Sequence, residues 1–162
     1  MVPDSNRIMD ILKLCDKENE EEVEDAVMEI HEVLQNAHTE NPKNLTKPEA
    51  NIFLIEELES EINSGGFDAF FWNSYGDLAN ETLVALKEIK SCKWSDIFER
   101  AMAQFPDSEV PKNRDKRQEV MGKIEDTTED AWNKLDDEFC DYEEDIHKLL
   151  IDYIESNSEN FR

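Results

Sequence analysis

The sequence predicts an all-α fold, a single-domain bundle of about eight short helices, and three observations carry that expectation. Apolar residues recur at the three- and four-residue spacing of a helix along almost the whole chain. No segment alternates with period two over the length of a strand, and the 162 residues include only 4 Gly and 5 Pro, few breakers for this length. A chain of this size buries roughly 70% of the surface its unfolded form exposes, so a self-sufficient core is expected.

The elements follow in order. Ile8, Ile11, Leu12 and Cys15 form the apolar face of a short first helix, with Ser5 or Asn6 as its cap. A second amphipathic helix places Val23, Ala26, Val27, Ile30, Leu34 and Ala37 on one stripe. The segment from Thr39 to Lys47, with Asn41, Pro42 and Asn44, reads as a connector and the expected hinge. Pro48 suits the first turn of the next helix, whose buried face is Phe53, Leu54, Leu58 and Ile62 and whose end is Gly65-Gly66. Phe67, Phe70, Phe71, Trp72 and Tyr75 are too dense for a surface and are expected at the centre of the core. Gly76-Asp77 then offers a stop and a cap for the helix of Leu83, Leu86 and Ile89. Ser91 or Ser95 starts the helix of Ile97, Phe98, Ala101, Met102 and Phe105, which Pro106 closes, and Asp107 to Pro111 is a linker. Arg117, Val120, Met121 and Ile124 suggest one helix, Ala131, Trp132, Leu135 and Phe139 another, and Tyr142, Ile146, Leu149, Leu150, Tyr153 and Ile154 the last.

Charge dominates the composition. With 41 Asp and Glu against 17 Lys and Arg the formal net charge is −24, well beyond what solubility asks of a small domain. A field of that sign repels nucleic acid and anionic membranes and attracts basic proteins. The mean hydropathy of −0.75 has the sign of a disordered chain. Against that stand 38% hydrophobic residues, 8 Phe, 3 Trp and 3 Tyr, which are core material. Cys15, Cys92 and Cys140 form neither a disulfide framework nor a metal knuckle, so a reducing cytoplasm is expected. The opening MVPDSNRIMDILKLCDKENEEE has too short an apolar run for a signal peptide. No run approaches the ~20 apolar residues of a membrane span.

Catalytic patterns are missing. His31, His38 and His147 are isolated, with no HExxH, no GxSxG elbow, no GxGxxG and no P-loop. No DxDxDG calcium loop occurs. Forty-one carboxylates with nothing to single out a pair give no acid–base signal. The expectation is a protein that binds and does not catalyse, with no metal and no cofactor.

The string Ile62-Asn63-Ser64-Gly65-Gly66-Phe67-Asp68-Ala69-Phe70-Phe71-Trp72-Asn73, followed by Glu81-Thr82-Leu83-Val84-Ala85-Leu86, resembles the signature of the DNA-mimic-protein-like family of bacteria: an NGGF turn, an aromatic FFxN element and an ETxxAL helix. The resemblance continues through Phe105-Pro106, Arg114 to Arg117, Leu135 to Phe139 and Leu150 to Ile154. It implies an all-α domain over residues 48–162, with residues 1–47 as a helical pair packed on that main body. It also implies binding to a helix-turn-helix transcription factor in place of operator DNA. Two departures stand out: Ser64 where a second Asn is usual, and Lys90-Ser91 where the family has Gly-Ala after the AL helix.

The acidic residues are unevenly spread. Residues 1–48 carry 12 acids and 5 bases, 49–110 carry 13 and 4, 111–124 carry 2 and 5, and 125–162 carry 14 and 3. Glu20, Glu21, Glu22, Glu24 and Asp25 fall in the opening turns of a helix, where the dipole favours anions, and Asp141, Glu143, Glu144 and Asp145 are expected to open the last helix in the same way. Asp136, Asp137 and Glu138 fall in a closing turn, where each is disfavoured by roughly 0.3–1 kcal/mol, and helix energetics do not account for them. These twelve residues are the expected partner-binding surface. Carboxylates on one helix face repeat about every 5.4 Å, the same order as the charge spacing of duplex DNA, so such a surface imitates a phosphate backbone. The expected partner is a basic DNA-binding protein, with no direct nucleic-acid or membrane binding, and a homodimer would suit a two-fold-symmetric repressor. The rival readings are an immunity-type or adaptor protein for a basic toxin or enzyme, and an acidic helical protein with no mimicry at all.

Overall fold

The computed structural model describes residues 7–161. They form seven α-helices and no strand: α1 (Arg7–Leu14), α2 (Glu20–Glu40), α3 (Lys47–Trp72), α4 (Ala79–Glu88), α5 (Cys92–Met102), α6 (Arg114–Cys140) and α7 (Ile146–Ser156). The protein is all-α, as its periodicity predicts. Seven is close to the expected eight, and three of the helices are long: α2, α3 and α6 run to 21, 26 and 27 residues. The caps expected at Ser5 or Asn6 lie outside the described residues. Among those described, no helix is long and apolar enough to cross a membrane.

Two compact units result, Met1–Phe53 with Asp145–Arg162, and Leu54–Glu144. In the first, α1 turns back on α2, with Arg7 donating to Glu29 at 3.0 Å and the Cys15 thiol to the Glu22 carbonyl at 3.5 Å. Asn19 caps α2 by accepting from the Glu22 N–H, and the Glu22 carboxylate accepts from the Asp16 N–H at 2.7 Å, tying the preceding turn to the helix start. Ile8, Ile11 and Leu12 are buried with the α2 stripe and with Ile146, Leu150, Ile151 and Ile154 of α7. The expected hinge is a 3₁₀ turn, Pro42–Asn44, capped by Asn41.

In the second unit the double glycine ends the first helical stretch of α3, as expected, and a second stretch follows across a kink. Gly66 has φ 73° and ψ −172°, a conformation that side-chain-bearing residues avoid, and the chain resumes helix at Phe67. Phe67, Phe70 and Phe71 are fully buried and meet Phe98, Phe105, Trp132 and Phe139 in edge and stacked contacts at 5.0–6.2 Å. Two residues of the expected aromatic core are not in it: Trp72 is exposed and Tyr75 is intermediate. The helix ends at Trp72.

The two helices expected over 117–124 and 131–139 are one, α6. Their apolar stripes are in phase, because Thr128 continues the face of Arg117, Met121, Trp132, Leu135 and Phe139 and is itself buried. Its hydroxyl donates to the Glu125 carbonyl at 3.4 Å, so a polar residue sits in the stripe without an orphan group. Asp77 does not cap α4; it accepts from Arg117 at 2.8 Å. Ser91, not Ser95, caps α5.

Arg117 is fully buried. Its Nε donates to the Phe71 carbonyl at 2.5 Å, Nη1 to the carbonyls of Pro111 and Lys112 at 2.9 and 3.2 Å, and Nη2 to the Asn73 carbonyl and Asp77 at 2.9 and 2.8 Å. All five N–H donors of the guanidinium are used. Gly76 permits this: a Cβ there would stand 2.7 Å from Nε and 2.8 Å from the Phe71 carbonyl.

At the corner where the family resemblance implies a glycine, Lys90 takes φ 66°. Lys90 N–H bonds the Lys87 carbonyl and Ser91 N–H the Leu86 carbonyl, both at 3.0 Å, which is the glycine-type helix ending built with a lysine.

Two outcomes follow from these geometries. Arg117→Met leaves four carbonyls and a carboxylate without their donor, and urea unfolding should show a loss of about 3–5 kcal/mol. Lys90→Gly relieves a left-handed non-glycine residue, and the same measurement should show a gain of about 1 kcal/mol.

Candidate functional site

Six of the twelve carboxylates expected on a binding surface are engaged within the chain. Glu22 accepts from the Asp16 N–H. Asp136 accepts from the Phe67 N–H at 2.8 Å. Glu138 takes both nitrogens of Arg100, at 3.2 and 2.5 Å. Glu143 pairs with Lys93 at 3.0 Å. Glu144 accepts from the Ser91 hydroxyl at 2.5 Å and the Cys92 N–H at 3.1 Å, closing the start of α5. Asp145 caps α7 by accepting from the Lys148 N–H at 3.2 Å. The run from Asp141 to Glu144 therefore precedes the last helix and does not open it. Glu20, Glu21, Glu24 and Asp25 on α2, with Asp137 and Asp141, are exposed and make no ion pair or side-chain hydrogen bond among the described residues. The first four belong to one unit and the last two to the other.

Asp136 and Glu138 thereby acquire the local explanation that helix energetics withhold. Gly66 is backed by the Asp136 carboxylate, where a Cβ would come within 2.2 Å of Oδ2, and that carboxylate receives the first N–H of the resumed helix. Burial pushes the Asp136 carboxyl up, and the charges of Asp137 and Asp68 add to this, against the Phe67 N–H, which favours the anion. The Arg100 hydrogen bond holds the Glu138 carboxyl below its usual range.

The largest set of free carboxylates lies elsewhere, on the outer face of α6, and was missed because that stretch reads as a gap between two helices. Glu125, Asp126, Glu129 and Asp130 are exposed and, like Asp137, engage no partner among the described residues. All sit on one unbroken helix. From Glu125 to Asp137 the axis advances about 18 Å, so five carboxylates give about one charge per 4 Å, close to the 3.4 Å per charge of a single DNA strand. Asn133 interrupts the row and Lys134 stands at its edge. The signal that could have exposed it was Thr128, the residue that joins the two apolar stripes.

Two of the three cysteine thiols are shifted up. Burial raises the Cys140 thiol, with Asp136, Asp137, Asp141 and Glu59 adding to it, and burial followed by Glu22 and Asp16 raises Cys15, which keeps both protonated. Tyr75 and Tyr142 are pushed up to about 12 by burial and neighbouring carboxylates. Among the described residues no group of three or more His, Cys, Asp or Glu is placed to hold a metal ion.

Compared with known families, residues 43–157 match the family described as DMP19-like protein. No curated protein and no solved structure matches the chain.

The raised Asp136 carboxyl has a signed consequence. A group that binds its proton more tightly folded than unfolded contributes stability below its unfolded value, and that contribution is lost as pH rises through the folded one. Asp136→Asn keeps an acceptor for Phe67 and removes the titration. Urea unfolding across pH 7 to 3.5 should show the wild type gaining on this variant as pH falls, and a constant difference would contradict the assignment.

Proposed function

The chain belongs to the DMP19-like protein family, and we propose on that footing that it is a DNA mimic, an acidic protein-binding module and not an enzyme. In this reading it occupies the DNA-binding surface of a basic partner, a helix-turn-helix transcription factor being the kind the family resemblance implies. The observation that carries the reading is the row of free carboxylates on α6. A cationic surface that neutralises phosphates at about 3.4 Å per strand meets there a similar linear density of charge.

The row costs something locally. Glu125 with Glu129 and Asp126 with Asp130 are like-charge i,i+4 pairs, each unfavourable by roughly 0.2–0.5 kcal/mol. Charges kept free at a cost in helix stability are available to a partner's Arg and Lys groups, whereas those bound by Arg100, Lys93 or a helix N-terminus are not. Occupancy of the partner's cationic surface excludes operator DNA, and the attraction weakens as salt screens it.

The test is displacement of a helix-turn-helix repressor from fluorescently labelled operator, followed by anisotropy at low and moderate salt. The wild type should release the DNA. The variant Glu125→Gln/Asp126→Asn/Glu129→Gln/Asp130→Asn should need about tenfold more protein, from four charges worth roughly 0.2–1 kcal/mol each, and should show a shallower salt dependence. DNA that stays bound at low salt under excess wild type, or a variant that competes equally well, contradicts the proposal.

A further inference from the structure

The three tryptophans occupy two kinds of place. Trp94 lies flat on Phe139 with ring centroids 3.9 Å apart, and Trp132 donates its indole N–H to the Ala101 carbonyl at 3.1 Å; both are buried. Trp72 is 47% exposed. Among the described residues its ring has no aromatic or cationic neighbour and its indole N–H no acceptor. Only its backbone is engaged, the carbonyl accepting from the Gln118 side chain at 2.9 Å. Tryptophan is among the residues enriched where partners bind most strongly.

Its surroundings are specific. Asp68 stands one turn earlier on α3 and is exposed, so it shares the face of Trp72. The charges of Asp68 and Asp137 both reach Asp136, which places the carboxylates of α3 and α6 in one neighbourhood. On α6, Gly122 lies one turn beyond Gln118, and a Cβ there would meet nothing within 4 Å. A glycine inside a helix costs about 1 kcal/mol relative to alanine, and no packing among the described residues calls for this one. It leaves open space on the flank that leads from Gln118 to Glu125 and Glu129.

We propose that Trp72, Asp68 and the gap over Gly122 form an arginine-selective subsite at the edge of the carboxylate row. This rests on the basic-partner reading and specifies it: the partner presents an arginine whose guanidinium lies on the indole face while its N–H groups pair with Asp68. Arginine is planar, weakly hydrated and able to stack and hydrogen-bond at once, whereas the lysine ammonium is a strongly hydrated point charge. An indole face beside a carboxylate therefore discriminates between them. Arg114, one turn before Gln118, is the chain's own cation on this stripe and leaves the ring unoccupied.

Because Trp94 and Trp132 are buried, acrylamide quenching reports on Trp72. The probes are hexa-arginine and hexalysine peptides of equal charge, titrated at low salt. Both should bind, hexa-arginine about fivefold more tightly, and only hexa-arginine should shield Trp72 from acrylamide. Trp72→Leu should bring hexa-arginine to the affinity of hexalysine and leave hexalysine unchanged, with an unaltered thermal melt because the side chain is exposed. Trp72→Phe should retain part of the preference. Equal affinities for the wild type, an unshielded Trp72 in the saturated hexa-arginine complex, or an unaffected Trp72→Leu would each overturn the subsite. Should the peptides bind alike while repressor is still displaced from operator, the subsite fails and the mimic stands. Should the arginine preference hold while no repressor is displaced, the subsite stands and the mimic fails.

Discussion

Arg117 has no access to solvent, and every one of its donors is spent on the chain. The acceptors come from the last turn of α3, the turn that enters α4 and the linker that enters α6, three places where backbone carbonyls are left over by helices that have ended or not yet begun. One guanidinium satisfies them together. It brings a charge into the interior of the second unit, tolerable because the geometry is complete and Asp77 supplies the countercharge. Gly76 is bound into the same arrangement, since a side chain there would collide with Nε. The aromatic cluster fills volume, but this cluster of hydrogen bonds ties the end of α3 to the linker that enters α6.

A second constraint of the same kind acts inside α3, at Gly66. Gly66 turns the chain out of helix, and Asp136 takes the N–H that the resumed helix would otherwise leave without an acceptor. The two constraints share a logic in which an acid or a base that looks like surface charge in the sequence is consumed in closing a helix end. Glu144 at the start of α5, Asp145 at the start of α7 and Glu22 at the start of α2 repeat it. A large part of the negative charge is thus structural, and net charge alone overstates what is offered to a partner.

This division explains what was legible in the sequence. The all-α class, the start of α3 at Lys47-Pro48, a serine cap for α5 at Ser91 or Ser95 and the glycine interruption were readable because periodicity, Pro at a helix start and Gly at a turn are local signals. The fusion of α6 was not, because the residue that joins its stripes is a threonine that counts as polar in any pattern. Trp72 was misplaced because density of aromatics says nothing about which ring faces outward at a helix end. The partition of carboxylates into engaged and free was invisible for a stronger reason: Glu144 with Cys92 and Asp136 with Phe67 are 52 and 69 residues apart. Lys90 was legible only as a missing glycine; that a lysine adopts the glycine conformation there is a matter of backbone.

The free row and the engaged residues are related on α6 itself. The helix is held at its start by Arg117, in its later turns by the Trp132 N–H on the Ala101 carbonyl and the Asp136 carboxylate on the Phe67 N–H, and near its end by Glu138 on Arg100. Glu125, Asp126, Glu129, Asp130 and Asp137 lie between the first and the last of these anchors. Repulsion between neighbouring carboxylates of roughly 0.2–0.5 kcal/mol per pair would fray a helix that only its own backbone bonds sustained, since isolated helices are marginal. Anchored at both ends, α6 holds the charges at fixed separations despite that repulsion. A partner of the proposed kind would find no backbone of the acidic helix left to order, which removes one of the main costs of association. Rigidity is therefore what turns an excess of acid into a pattern, and it comes from the carboxylates and arginines that are not themselves on display.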